Sequence, residues 1–91
     1  MEGLTEGRIV HYVLTGGRSE GQHRPAIVVR DWVHAAPSDR DGVVNLQVFT
    51  DAVNDYPPGQ VGSDGLMWAT SVHYSEAKEP GTWHWIEYHA R

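Results

Sequence analysis

The apolar residues of this chain fall in short alternating runs, and no segment of ten or more residues carries an amphipathic helical pattern. Alternation with period two is a strand signature, because successive side chains of an extended chain point to opposite sides. In residues 8–14, Ile9, His11 and Val13 share one face and Val10, Tyr12 and Leu14 the other. In residues 43–50, Val44, Leu46 and Val48 oppose Asn45 and Gln47, and residues 66–74 split in the same way. Residues 25–33 are apolar on both faces at their centre, which suits a central strand, with Pro25 at its first position, where a missing N–H costs little. Gly, Pro and Asp punctuate the loops at 15–24, 34–42, 51–65 and 75–81. With the aromatic stretch 82–89 as a closing strand, the pattern predicts an all-β domain over residues 1–91 with a long loop at 51–65. The expected architecture is a small five-stranded SH3-like barrel, with an OB-like barrel as the alternative.

Composition narrows the classes of function. At 40% apolar and 21% charged residues the chain has the make-up of a folded protein, and its small size makes a homo-oligomer the expected state. The absence of cysteine excludes disulfide scaffolds, thiolate metal sites and cysteine nucleophiles. No apolar run approaches the roughly 20 residues that span a bilayer, and the first residues lack the order of a signal peptide. A cytoplasmic location and no membrane partner are therefore expected. The net charge of -5 argues against polymeric nucleic acid, whose phosphates call for a basic surface. Six of the seven basic residues are nevertheless arginine. Its planar fork suits phosphate or carboxylate, although a GC-rich coding genome produces the same bias.

Four ordered blocks carry a resemblance. Gly7-Arg8-Ile9-Val10-His11-Tyr12-Val13, His23-Arg24-Pro25-Ala26-Ile27-Val28-Val29, Val44-Asn45-Leu46-Gln47-Val48-Phe49-Thr50-Asp51 and Pro80-Gly81-Thr82-Trp83-His84-Trp85 resemble a family of short proteins encoded by tailed bacteriophages. That family has Trp-His-Trp-Pro-Glu and Phe-Thr-Asp-Gly, so Ile86 and Ala52 depart from it without removing a chemically active group. The resemblance implies a phage origin and a location in the host cytoplasm; it implies no mechanism.

The chemical constellations favour binding over catalysis. Strand alternation through 82–89 puts His84 on one face and Glu87 and His89 on the other, so the three cannot share an ion. Helical offsets of three and five fail as well. His11, His73 and His84, drawn from neighbouring strands, are the one zinc arrangement left, and the expectation is no metal and no cofactor. Ser71 and His73 share a face but lack an oxyanion hole or third member, residues 39–42 lack the closing acid of a calcium loop, and the 15–24 loop lacks the Gly-Lys-Ser/Thr ending of a phosphate loop. No catalytic residue is assigned. The expected function is a non-catalytic phage binding protein, in its most concrete form an anti-defence sponge that sequesters a nucleotide immune signal. Arg18 and Arg24 would meet phosphate, Gln47 and Asn54 base edges, and Tyr56, His84, Trp85 and Tyr88 would stack on or contact the ligand. A virion structural component and a small hydrolase or metalloenzyme are the alternatives, and a protein partner is the alternative to a small anionic ligand.

Overall fold

The computed structural model describes residues 1–34, 40–56 and 65–87. Five strands follow in order: β1 (Ile9–Val13), β2 (His23–Asp31), β3 (Val44–Phe49), β4 (Leu66–Val72) and β5 (Trp83–His84). Short 3-10 turns occupy Trp32–His34 and Ala52–Asp55. The strands form one antiparallel sheet of order β4-β3-β2-β1-β5. The all-β expectation holds, but the sheet is not closed into a barrel. Among the described residues its two edges are joined by a parallel bridge between Tyr74 and Trp83, where Trp83 N–H donates to the His73 carbonyl and Ser75 N–H to the Trp83 carbonyl, both at 3.0 Å.

One face of the sheet carries the core. Val10 and Tyr12 of β1, Ala26 and Val28 of β2, Val44, Leu46 and Val48 of β3 and Val72 of β4 pack with Leu4, Leu14 and Trp83. This is the face that alternation assigns in β3 and to Val10, Tyr12 and Leu14. Trp83 is fully buried, and its indole N–H donates to the Gly42 carbonyl at 2.7 Å, so the polar edge of the largest core residue is satisfied.

β2 starts two residues earlier than the sequence suggests, which moves Pro25 inside a central strand. It is tolerated there because it faces His11 in the β1 register while the β2–β3 ladder begins only at Ala26. A register shift between Val44 and Leu46 marks the β3–β4 pairing, near Ser71 with its φ of +51°. Asn45 Oδ1 supports this irregularity by accepting from Ser71 N–H and from the Trp32 indole, each at 2.9 Å. The β1–β2 loop packs on the turn after β3 so closely that a Cβ at Gly17 would lie 2.5 Å from the Tyr56 carbonyl oxygen. With φ at +80°, only glycine fits there.

That contact is locked by a buried ion pair. Arg24 Nε donates to Asp55 Oδ2 at 2.7 Å and Nη2 to Oδ1 at 3.0 Å, and Asp55 also accepts from Asp51 N–H at 2.5 Å. The Asp55 side chain is 0% exposed, and the hydrogen bonds from Arg24 chiefly hold its carboxyl below the ordinary carboxylate range. A carboxyl depressed in the folded state binds its proton first in the unfolded chain. The stabilisation is therefore complete above the ordinary aspartate range, near pH 4, and is lost as pH falls through the depressed value. Asp55→Asn should lower stability by about 3 kcal/mol at neutral pH and flatten the acid limb of the stability profile, as measured by urea unfolding between neutral and acidic pH.

Candidate metal centre

Three histidines converge on the outer face of the sheet, opposite the core. His84 of β5 faces His11 of β1 in the antiparallel register. His23 sits at the start of β2, opposite Val13 and diagonal to His11. Diagonal neighbours on one face lie within reach of long side chains. The ring centroids are 4.6 Å apart for His23 and His84, 5.7 Å for His11 and His84, and 6.4 Å for His11 and His23.

Glu87 completes the group. β5 ends at His84, so beyond it the chain no longer obeys strand alternation, and Glu87 returns to the side of His84. Its Oε1 lies 2.5 Å from His23 Nδ1, 2.6 Å from His84 Nε2 and 3.4 Å from His11 Nδ1. The other oxygen, Oε2, accepts from Lys78 Nζ at 2.7 Å. One donor atom from each of His11, His23, His84 and Glu87 lies within 4.8 Å of all the others.

The electrostatics prepare this group for a cation. Hydrogen bonds, first from Lys78 and then from His84, hold the Glu87 carboxyl far below its ordinary range, so it is ionised. Burial, outweighing the attraction of Glu87, lowers the pKa of His84 and keeps its imidazole neutral. Neutral imidazoles beside an ionised carboxylate are the protonation states in which these groups ligate metals. His84 is buried, and its Nδ1 has no hydrogen-bond partner among the described residues. Its ring is held by the Nε2 contact to Glu87 and by packing against the His11 and His23 rings.

The residues expected to bind a ligand do not form one group. Arg24 is engaged by Asp55. Gln47 donates to the Met67 carbonyl at 3.1 Å, and Tyr56 is buried, with its hydroxyl bonded to the Leu66 carbonyl. Asn54 accepts from Ser19 N–H through its carbonyl, below the loop that carries exposed Arg18. Trp85 packs edge-on against Trp83 at 5.0 Å, with the Arg8 guanidinium 5.4 Å from its centroid. Tyr88 and His89 lie outside the described residues, as does most of the long loop, 57–64. Of the expected binding residues only His84 belongs to the cluster, and the separation of His84 from Glu87 is corrected because β5 is two residues long. His73 does not join His11 and His84; it lies past β4, beside Tyr74 and Glu76 in an open groove. His23 takes the place expected for it.

Lys78 is held at φ +57°, a conformation that favours glycine. In Lys78→Gly the backbone relaxes while Glu87 loses the largest influence on its charge, so carboxylate NMR should find the Glu87 pKa raised relative to wild type. An unchanged Glu87 titration would show that Lys78 does not act on it.

Among the described residues, no helix is long and apolar enough to cross a membrane. No protein-family model, curated protein or solved structure matches this chain.

Proposed function

We propose that this chain is a non-catalytic, zinc-binding β-domain in which His11, His23, His84 and Glu87 hold one divalent ion. The observation that carries this reading is the convergence of four donor atoms, from His11 and His23 and from the distant pair His84 and Glu87, all within 4.8 Å of one another. In a tetrahedral site with bonds of about 2 Å, donor atoms sit about 3.3 Å apart. The Glu87 Oε1 contacts of 2.5, 2.6 and 3.4 Å bracket that spacing, so small side-chain adjustments suffice. Three imidazoles and a carboxylate without thiolates suit zinc, and also copper(II) or nickel(II). Four protein donors complete the tetrahedron and leave no position for a reacting water, which favours a structural role over hydrolysis. Lys78 on the outer oxygen of Glu87 serves as the supporting partner that orients a ligating carboxylate.

In this role the ion ties the two-residue strand β5 to β1 and β2. We also read the strand order β4-β3-β2-β1-β5, with the edges drawn together at Tyr74 and Trp83, as SH3-like. The phage resemblance agrees with a viral origin for such a domain and bears on no mechanism. A nucleotide-sponge reading gains little, because Arg24 and Gln47 already have partners within the protein.

Metal analysis and calorimetry test the assignment. The purified chain should take up one equivalent of zinc per molecule and gain about 4 kcal/mol of stability at a thousandfold excess over Kd. His23→Gln, at a part-exposed position that tolerates substitution, should keep the fold and weaken zinc binding at least tenfold. Absence of zinc uptake by folded wild-type protein overturns the reading.

A further inference from the structure

The outer face of the sheet extends from the histidine cluster as an apolar surface. Ile9, Ile27, Gln47 and Trp68 form one row across four strands, each paired in register with the next. A second row, two residues along each strand, runs from His11 and Pro25 to Phe49 and Leu66, with Val29 beside the first row. Trp68 is 52% exposed, Ile9 48%, Val29 46%, Phe49 41% and Leu66 40%. An antiparallel sheet with one solvated face ordinarily alternates apolar inside and polar outside. Here both faces are apolar, and the described residues cover only one.

We propose that this face is the contact surface of a homodimer, on which a second copy of the chain packs its own outer face, sheet against sheet. Three observations select a second copy over a different partner. First, neither row contains Asp, Glu, Lys or Arg, although the chain has a net charge of -5; exposed Arg30, which pairs with Asn45 beyond the first row, lies over the Trp32 ring at 4.0 Å. A two-fold contact sets a patch against itself, so it has to be free of like charge. Second, the amides on this face are already engaged: Gln47 donates to the Met67 carbonyl, and Asn45 Oδ1 accepts from Ser71 and Trp32. They have less hydrogen bonding to lose on burial and offer little to a polar ligand. Third, the face is broad. Its exposed apolar side chains come from all four strands β1 to β4, and an apolar sheet face is commonly covered by a second sheet about 10 Å away. Trp68, the largest exposed side chain of the face, is the expected anchor.

Sedimentation equilibrium of the full chain, with and without zinc, over micromolar to millimolar concentrations tests this. The expected result is a reversible equilibrium between the 10.2 kDa chain and a species of twice that mass, present in both metal states. Trp68→Glu and Phe49→Glu lie outside the histidine cluster. Each should raise the dimer Kd about a hundredfold while leaving zinc content and circular dichroism at wild-type values. A chain that remains monomeric at millimolar concentration overturns the proposal, as does a dimer that both substitutions leave intact. Neither result depends on zinc binding.

Discussion

One register joins the core of this protein to its polar cluster. Tyr12 faces Trp83 and His11 faces His84, so the same two-residue strand sends an indole inward and an imidazole outward. Slipping β5 by one residue would expose the largest core side chain and bury a histidine among valines. The bulk of Trp83 and its bond to the Gly42 carbonyl prevent that slip. Precision in the cluster is therefore inherited from packing on the other side of the sheet, with no regular hydrogen-bonded ladder following His84 among the described residues to supply it.

Much of the sheet can be read from residue order. Alternation identifies four strands to within a few residues, assigns Val44, Leu46 and Val48 to the core, and groups Val10 with Tyr12 on one side of β1 without saying which side is buried, because period two separates two sides and does not rank them. The cluster is less legible for a specific reason. Glu87 joins His84 only because the strand stops there, and where a strand stops depends on available pairing partners, which a linear pattern does not contain. His23 lies in a stretch whose glycines signal a loop, yet it is already paired with Val13. Arg24 looks like a phosphate ligand until the fold brings Asp55 beside it from 31 residues away. Closure of the barrel is a property of curvature, and alternation carries no information about curvature.

The polar positions of the outer face carry a related lesson. Asn45 and Gln47, two apart on β3, have the spacing of side chains that could read a ligand. Their amides instead answer local needs of the backbone: one supports the β3–β4 irregularity at Ser71, and the other bonds a carbonyl of the edge strand. A polar side chain on a strand reports a hydrogen-bonding requirement without saying whether it belongs to the protein or to a guest.

The order in which the donors are synthesised has a consequence of its own. His11 and His23 are synthesised before β3 and β4, whereas His84 and Glu87 follow them. A nascent chain ending at β4 holds half of the donor set and lacks Trp83, so neither core nor cluster can close until residues 83–87 arrive. Because these contacts join β1 to β5, the keystone of the interior and half of the donors arrive together, and only once β5 has been made.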